Sequence, residues 1–446
     1  MEIEQFYDDG LAHASYAIIS NGEIALVDPA RDPQPYYDYA QRKQAKIVAV
    51  IETHPHADFV SSHYEIHKTT GATIYASKLV QAAYPHRTFD EGDRILLGEV
   101  HLRAFNTPGH SPDSICVVAE DETGHASAIF TGDTLFVGDV GRPDLREKAG
   151  MLTAKREELA IQMYRSTRDF IMKLEKDMQV FPAHGAGSLC GKNLSPDRSS
   201  SIGRELESNQ ALQQMSEQEF VDALLEDQPP IPKYFGYNVD INKTGADNYL
   251  ENMAKVPVPD HQPALMPGAL IIDARPQEIF KAGHFFKAIN LMNGLKFETW
   301  LGSIVGPEEK FYLVAEERPF LQTLIEKTAK IGYETNIIAA FIPDQPMLAQ
   351  SRPLNLSSFT SNTEAYTIVD IRNEAEVKEK RFFKHALTIP LHELRERVGE
   401  IPKQKPVVVH CAGGYRSAAG ASIIEGFLPE LPVYDLSEAI SKFQPL

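Results

Sequence analysis

Apolar residues in the first half of the chain form short runs or alternate with polar residues, a pattern typical of β-strands. The first two such segments, 14–20 and 23–28, are separated by Asn21-Gly22, a residue pair that favours a two-residue hairpin turn. A helix with one polar face is predicted at 34–44, and further strands are predicted at 45–51, 72–76, 94–98, 100–105, 114–119 and 126–131. The pattern predicts a β-rich layered domain with interspersed helices.

The pattern changes along the rest of the chain. Helical spacing over 153–177 and 197–227 predicts helices that pack on one side and are solvated on the other. Residues 228–268 are rich in proline and are predicted to form a semi-rigid connector. Beyond them, short strands alternate with helices, which is the pattern of α/β domains. A length of 446 residues is too great for one ordinary core, so two or three domains are expected.

The second half of the chain contains an internal repeat. Three pairs of segments recur in the same order: 270–275 matches 367–372, 285–287 matches 382–384, and 310–316 parallels 405–411. Each copy spans about 90 residues, which is enough for an independent fold. The repeat therefore predicts two small α/β domains.

Composition and charge limit the partners that the protein can have. The 44 Lys and Arg residues against 62 Asp and Glu residues give a net charge of −18, which repels nucleic acids and anionic lipid surfaces. No apolar run approaches the roughly 20 residues of a membrane helix, and the N-terminus lacks a basic, then apolar, leader. We therefore expect a cytoplasmic protein without nucleic-acid or membrane partners.

The three cysteines, Cys116, Cys190 and Cys411, lie far apart in the sequence. A disulfide framework is therefore not expected, and each cysteine is considered as a thiol. Cys116 lies inside an apolar strand and is predicted to belong to the core.

Four loops, each directly after a predicted strand, carry residues that can bind a metal. Each ligand-type residue stands close to a Gly or Pro that lets the backbone turn sharply. Neutral imidazoles and carboxylates suit zinc, iron or manganese. One such loop can arise by chance, whereas four in series favour a metal centre. The candidate ligands are His54, His56, Asp58, His110, Asp133 and His184.

The order of these loops resembles the metallo-β-lactamase superfamily, in particular its glyoxalase II and persulfide dioxygenase branch. The resemblance covers roughly the first half of the chain and implies an αββα sandwich. The two-metal hydrolases of that family carry a further histidine directly after the aspartate of the first motif, whereas this chain has Phe59. A phenyl ring cannot coordinate a metal, which counts against a two-metal hydrolase.

The resemblance to persulfide dioxygenases implies one ferrous iron on His54, His110 and Asp133. Two imidazoles and one carboxylate leave open coordination positions for substrate and dioxygen. Three further residues match family ligand positions and are interpreted as groups that orient the ligands or hydrogen-bond metal-bound water. Loop structure retained without a catalytic role is the alternative. These residues are His56, Asp58 and His184.

Two residues near the predicted ligands are substrate-binding candidates. Arg142 lies in a Gly-Arg-Pro-Asp segment, which in the family lies beside the active site. It can pair with a substrate carboxylate, or with Asp144 or Asp139 inside the protein. Cys190, in the Gly-rich loop after the last ligand, can face the substrate channel or be a thiol buried for packing.

The two copies of the repeat resemble rhodanese domains. The second copy carries Cys411-Ala412-Gly413-Gly414-Tyr415-Arg416-Ser417, which is similar to the rhodanese active-site loop. A cysteine between a buried strand and a helix meets backbone N–H groups and the helix N-terminus, which stabilise a persulfide, and Arg416 adds positive charge. Cys411 is therefore the predicted nucleophile. Glu316 stands at this position in the first copy, which predicts a structural or docking domain.

Together these features predict a multidomain α/β and α+β protein. The expected domains are a metallo-β-lactamase-fold persulfide dioxygenase domain at 1–245, a rhodanese-like domain without the catalytic cysteine at 246–350, and a catalytic rhodanese domain at 351–446. The resemblance also makes a homo-oligomer, a dimer or a tetramer, the expectation.

The expected function follows from the two resemblances. One Fe(II) per chain would support oxidation of a low-molecular-weight thiol persulfide by O2 to sulfite and free thiol. Cys411 would transfer sulfur in a reaction that forms or uses thiosulfate. The alternative is a glyoxalase II-like thioester hydrolase with a rhodanese-like sulfur-carrier or docking module. The identity of the thiol and the direction of sulfur flow stay open.

Overall fold

A computed structural model describes residues 1–121, 123–146, 156–344 and 349–446. The described residues form two compact units. The first is Met1–Glu251 with Ala329–Gly332, and the second is Asn252–Thr328 with Tyr333–Leu446. Among the described helices, none is long and apolar enough to cross a membrane.

The first unit contains two six-stranded sheets. The strands are β1 (Glu2–Asp8), β2 (His13–Ser20), β3 (Glu23–Val27), β4 (Lys46–Ile51), β5 (Thr73–Ala76), β6 (Arg87–Thr88), β7 (Arg94–Leu97), β8 (Val100–Asn106), β9 (Ile115–Glu120), β10 (Ala126–Gly132), β11 (Gln179–Pro182) and β12 (Ser200–Ser201). One sheet has the order β1-β2-β3-β4-β5-β6 and the other β12-β11-β10-β9-β8-β7. The predicted β2–β3 hairpin is present, and Asn21 and Gly22 both have the positive φ that such a turn needs.

Helices cover the outer faces of this pair of sheets. They include α1 (Gln34–Lys43), α2 (His63–Thr70), α3 (Arg156–Asp169), α4 (Ile202–Ser208) and α5 (Glu217–Leu225). Tyr16 and Ile51 of one sheet share a buried core with Leu102 and Phe130 of the other. Helices α1 and α2 pack on the first sheet, and α3 and α5 pack on the second. The predicted αββα sandwich is therefore confirmed.

The predicted ligand loops follow strands of both sheets. Strand β4 precedes the first loop, and β8, β10 and β11 precede the other three. Two backbone hydrogen bonds hold these loops together: Ile115 donates to the carbonyl of Thr53 (2.9 Å), and Ala183 donates to that of Gly132 (3.0 Å). The strand ends therefore bring the loops to one edge of the sandwich.

Three predicted segments, one connector and two helices, need correction. The segment 228–268 is not a connector throughout, because it contains α6 (Phe235–Thr244) and α7 (Tyr249–Lys255). Its prolines lie at 229–232 and 257–267, so the proline-free residues between them are able to form helices. The predicted helix 153–177 begins outside the described residues, and within them α3 ends at Asp169. The predicted helix 197–227 is divided into α4 and α5.

The second unit contains two parallel four-stranded sheets. Their strands are β13 (Leu270–Asp273), β14 (Ile289–Asn290), β15 (Phe311–Val314), β16 (Ile337–Phe341), β17 (Thr367–Asp370), β18 (Leu387–Thr388), β19 (Val407–His410) and β20 (Val433–Asp435). The orders β14-β13-β15-β16 and β18-β17-β19-β20 are the same arrangement twice, which confirms the internal repeat. We call the copy built on β13–β16 the middle domain and the copy built on β17–β20 the C-terminal domain.

Helices and ion pairs repeat with the strands. The described helices of this part are α8 (Gln277–Ala282), α9 (Phe297–Ile304), α10 (Arg318–Lys330), α11 (Leu356–Ser361), α12 (Glu374–Glu379), α13 (Leu394–Arg397) and α14 (Tyr415–Phe427). A buried pair follows the first strand of each sheet: Arg275 binds Asp273, and Arg372 binds Asp370, each at 2.6 Å. The two copies therefore share internal architecture as well as strand order.

Candidate functional site

Three of the predicted ligands converge on one point. His54, His110 and Asp133 are buried, and their ligand atoms all lie within 4.8 Å of one another. Oδ2 of Asp133 is 3.4 Å from Nε2 of His110 and 3.9 Å from Nε2 of His54. These distances exceed good hydrogen-bond lengths, as expected for groups around a common ion. Within the described residues the buried carboxylate of Asp133 makes no hydrogen bond of normal geometry, so the site fits a metal cation.

Asp28, which follows β3, orients the first ligand through Thr53. One carboxylate oxygen of Asp28 accepts a hydrogen bond from the Thr53 backbone N–H (2.7 Å), and the other accepts one from the Thr53 hydroxyl (2.8 Å). The hydroxyl oxygen lies 3.1 Å from Nδ1 of His54. Because the hydroxyl proton goes to Asp28, this oxygen accepts the Nδ1–H of His54. Nε2 of His54 is then left to coordinate a metal.

His56 turns toward Asp28, with its Nε2 3.2 Å from Oδ1 of the carboxylate. Burial acts to lower the pKa of the His56 imidazole, but the charge and hydrogen bond of Asp28 outweigh burial and raise this pKa to about 9. His56, Asp133 and His184 also each bring one ligand atom to within 4.8 Å of the others. The contact with Asp28 is compatible with the orienting role predicted for His56, and that role stays a prediction.

Asp58, His184 and Cys190 form a second cluster beside the first, with their ligand atoms within 4.8 Å of one another. Nε2 of His184 is 3.5 Å from Oδ2 of Asp58 and 3.5 Å from Oδ1 of Asp133. Burial, with the carboxylates of Asp58 and Asp133, raises the pKa of the Cys190 thiol well above its usual value. The cysteine of the Gly-rich loop therefore lies beside the candidate metal site.

Phe59 is buried beside this second cluster. Its ring centroid lies 3.8 Å from that of His13 and 4.5 Å from that of His56. The His13 ring is also close to His184, at 5.6 Å between centroids. His13 was not among the predicted site residues, because it begins β2, where the alternating pattern gives no sign of a metal centre 40 residues away along the chain.

A second residue that sequence reasoning missed is Asn242 of α6. Its side-chain N–H groups donate to the backbone carbonyls of His56 (2.9 Å) and Phe59 (2.8 Å). Its side-chain oxygen accepts the backbone N–H of Ser61 (2.8 Å). This buried amide satisfies three backbone groups of the first ligand loop, and so it holds the loop in the conformation that aims His54 at the metal site.

Arg142 is engaged inside the protein and is only 1% exposed. Its Nε and Nη2 donate to the two carboxylate oxygens of Asp144 (2.7 and 2.6 Å), which is the ion pair that the sequence left as an alternative. Its Nη1 donates to the carbonyl of Leu189, and its backbone N–H donates to that of Cys190. Arg142 therefore anchors the Cys190 loop. Binding of a substrate carboxylate stays a prediction.

Cys411 follows β19, and α14 begins four residues later, as the sequence predicts. The backbone N–H of Gly414 donates to Sγ of Cys411 at 3.1 Å, and Gly414 has a φ of +99° that favours glycine. Arg416 makes two hydrogen bonds to the carboxylate of Glu376, at 2.6 and 2.7 Å. The sulfur thus lies in a backbone cradle, and the nearby guanidinium is held by a carboxylate.

Comparisons with known proteins agree with both parts of this description. Residues 8–184 match the model of the metallo-beta-lactamase superfamily, and residues 357–445 match that of the rhodanese-like domain. The chain joins a metallo-β-lactamase domain to a C-terminal rhodanese-like domain. Proteins with the first fold bind metal ions, and the cluster around Asp133 is where this domain would hold one.

Two curated relatives are similar to part of the chain. A cytoplasmic hydroxyacylglutathione hydrolase from Arabidopsis thaliana is 33% identical over 174 residues, which is 38% of this chain and 62% of that protein. A beta-lactamase hydrolase-like protein from Agrobacterium fabrum is 26% identical over 281 residues, 54% of this chain and 60% of that protein. The chain thus spans less than two thirds of the length of these two curated relatives.

A solved structure covers more of the chain. The metallo-beta-lactamase from Staphylococcus aureus subsp. aureus COL is 30% identical with a TM-score of 0.69, and the match covers 77% of this chain and 99% of that one. A match over 77% of the chain is longer than residues 8–184, so the similarity extends beyond the metallo-β-lactamase domain itself.

Proposed function

We propose that this protein is a persulfide dioxygenase joined to a sulfurtransferase. One observation supports the dioxygenase assignment: the first cluster has a complete set of ligands, whereas the neighbouring cluster lacks one. His54, His110 and Asp133 surround one point, whereas Phe59 stands where the second ion of a two-metal hydrolase has a histidine. A set of two imidazoles and one carboxylate suits a single ferrous iron.

The ligand set supports iron through its donor chemistry and its open geometry. When bound, ferrous iron would supply open coordination positions for the terminal sulfur of a thiol persulfide and for O2, together with the redox chemistry of O2 reduction. The protein itself orients the ligands. Thr53 holds His54 in the required tautomer, Asn242 holds the loop, and Phe59 with His13 closes one side with aromatic rings that exclude water.

The proposed reaction balances without a further reductant. A thiol persulfide, one O2 and one water give the free thiol, sulfite and two protons. The terminal sulfur is oxidised by four electrons, and these four electrons reduce O2. The bond between the two persulfide sulfurs breaks, and the thiol sulfur leaves with a proton. Cys190 lies where it can contact the substrate sulfur, because it joins Asp58 and His184 beside Asp133.

The C-terminal domain would carry sulfur on Cys411. The Cys411 thiolate attacks the terminal sulfur of a persulfide, forming a new S–S bond and releasing the donor thiolate. Sulfite can then take this sulfur, which gives thiosulfate and restores the Cys411 thiolate. The backbone N–H of Gly414 at the sulfur supports this role, since it stabilises negative charge there.

Oxygen uptake tests the first half. The full chain is loaded with iron without oxygen, and oxygen consumption is then measured with glutathione persulfide. We expect uptake in the wild type and in Cys411→Ser, and loss of uptake in His110→Ala. A folded, iron-loaded protein that consumes no oxygen would remove the dioxygenase assignment. Glutathione, coenzyme A, bacillithiol and cysteine persulfides compared in the same assay identify the thiol.

A second candidate is a thioester hydrolase, and one observation favours it. Asp58, His184 and Cys190 could hold a second ion although Phe59 supplies no ligand. Two bound ions would activate a water for attack on a thioester. Two metal ions per chain, with thioester cleavage and no oxygen uptake, would support this candidate over the dioxygenase.

A further inference from the structure

One segment of the middle domain, Met292–Trp300, lies beside the Cys411 loop. It connects β14 to α9 and includes the first turn of that helix. The hydroxyl of Tyr415 donates a hydrogen bond of 2.8 Å to the carbonyl of Met292. Tyr415 directly follows Gly414, whose N–H donates to the sulfur of Cys411. A bond from the middle domain therefore fixes the residue next to the sulfur cradle.

Gly294 brings this segment into close contact with the loop. A Cβ atom at this position would lie 2.7 Å from Cε2 of the Tyr415 ring, so a larger residue would displace either the segment or the tyrosine. The segment is also anchored within its own domain. Nζ of Lys327 on α10 donates to the side-chain oxygen of Asn293 (2.8 Å) and to the carbonyl of Gly294 (2.9 Å).

Trp300 reaches the other functional side chain of the loop. The guanidinium carbon of Arg416 lies 5.7 Å from the centre of the Trp300 ring, within cation–π distance. The same guanidinium also donates two hydrogen bonds to the carboxylate of Glu376. Trp300 is partly buried, and we call its ring the aromatic wall next to Arg416.

We propose that the segment Met292–Trp300 is a functional part of the Cys411 site. Through its hydrogen bond with Tyr415, the segment sets the position of the backbone N–H that contacts the Cys411 sulfur. Trp300 selects the sulfur donor by size. The inference rests on the proposed sulfur transfer. Arg416 already has a carboxylate partner, so an anionic donor gains less from its charge, and the shape of the aromatic wall matters more. The middle domain, which has no cysteine nucleophile of its own, would thus contribute to the Cys411 site of the C-terminal domain.

The positioning role is tested with glycine variants of the full chain. Gly294→Ala inserts a methyl group against Tyr415, whereas Gly399→Ala is the matched control, because nothing lies within 4 Å of its added Cβ. The rate of persulfide formation on Cys411 is followed by mass spectrometry with thiosulfate and with glutathione persulfide. We expect Gly294→Ala to slow loading about tenfold with both donors, since small displacements of reacting groups are costly. Gly399→Ala should load at the wild-type rate.

Tyr415→Phe provides a milder version of the same test if Gly294→Ala folds poorly. It keeps the ring and removes only the hydrogen bond to Met292. Loss of one such bond predicts loading about fivefold slower. Melting temperature and oxygen uptake at the metal centre, measured on the same preparations, separate an effect on the Cys411 loop from general misfolding.

The selection role is tested at Trp300. Trp300→Ala should change the ratio of loading rates for glutathione persulfide and thiosulfate by about tenfold in favour of the larger donor, whereas Trp300→Phe should stay near the wild type. Trp300 is also the only tryptophan in the chain, so sulfur loading in the wild type should change its fluorescence, with no change in Cys411→Ser.

The outcomes distinguish this inference from the proposed sulfur transfer through Cys411, on which it rests. No loading of wild-type Cys411 with either donor overturns both. Normal wild-type loading overturns this inference alone if Gly294→Ala and Tyr415→Phe load at the wild-type rate and Trp300→Ala leaves the donor ratio unchanged.

Discussion

At the scale of residues, the proposed function makes Phe59 the residue that limits the metal centre to one ion. A histidine at this position would add an imidazole beside Asp58 and His184, the two groups already 3.5 Å apart. We predict that Phe59→His raises the metal content from one ion to two per chain and lowers oxygen uptake. Elemental analysis of dialysed protein measures the change. Phe59→Leu is the control and should bind one ion, while an unchanged content in Phe59→His would contradict this account of the residue.

Asn242 is the second residue whose effect is predictable from its contacts. Asn242→Ala leaves three backbone groups of the first ligand loop without their partner. We expect a loss of about 3 kcal/mol in the free energy of unfolding, since each buried unsatisfied group is costly. Metal affinity should fall at least tenfold, as is typical when groups that orient ligands are removed.

Calorimetry and metal titration check both effects of Asn242→Ala. The control is Asp240→Ala, an exposed position on the same helix. Wild-type metal affinity in Asn242→Ala would show that the loop keeps its conformation without the amide.

At the scale of elements, the glycine that follows α6 packs against α2. Gly245 ends α6 with a φ of +88°, and a Cβ there would lie 2.5 Å from the Tyr64 ring. Gly71 follows α2 with a φ of +77° and a ψ of 7°, which is the left-handed region, and nothing lies within 4 Å of its added Cβ. We predict that Gly71→Ala costs about 1 kcal/mol through backbone strain. Gly245→Ala should cost about 2 kcal/mol more, because its ψ of 124° lies outside the left-handed region and its added Cβ overpacks against Tyr64. Equal losses in calorimetric unfolding would contradict the predicted clash.

The link between α12 and α14 predicts a pH dependence. Burial acts to raise the pKa of Glu376, but its hydrogen bonds to Arg416 and the charge of that residue lower it overall. The ion pair therefore stabilises the fold fully above about pH 4.3, the usual pKa of a glutamate, and this stabilisation is lost as the pH falls through the lowered pKa. Glu376→Gln should cost about 1 kcal/mol at neutral pH, because the pair is partly exposed and screened.

Urea unfolding followed by Trp300 fluorescence measures this effect, since Trp300 belongs to the same compact unit as Glu376. The difference from the wild type should be constant above about pH 5 and shrink at lower pH. Glu374→Gln, an exposed change on the same helix, should show no such difference. A difference that grows on acidification would have the wrong sign for an ion pair.

Elements were predictable from sequence where a local pattern specifies them. The strand predictions before the ligand loops are within one or two residues of β4, β8 and β10, because alternation and Gly or Pro boundaries act over short distances. Helices α6 and α7 were missed because 228–268 was judged by its overall proline content, although the prolines lie at its two ends and not in the middle. The contacts of Asn242 and His13 were also missed, since they join residues that are far apart in the chain and leave no periodic signal.

At the scale of the whole molecule, the predictions for the two chemical sites are independent. The metal cluster belongs to the first compact unit and Cys411 to the second. With a net charge of −18, both sites would depend on local groups to bind the anionic sulfur compounds of the proposed function. The ligand set and the cysteine loop were predictable because each is a short motif. The contact between Trp300 and Arg416 was not, because it depends on how the two repeated domains meet.

The most direct test of the central claim is the metal content of protein purified without oxygen, measured together with its oxygen consumption. We predict one iron per chain and, on addition of a thiol persulfide, one O2 consumed for each sulfite formed. Two ions per chain, with thioester cleavage and no oxygen consumed, would contradict the account.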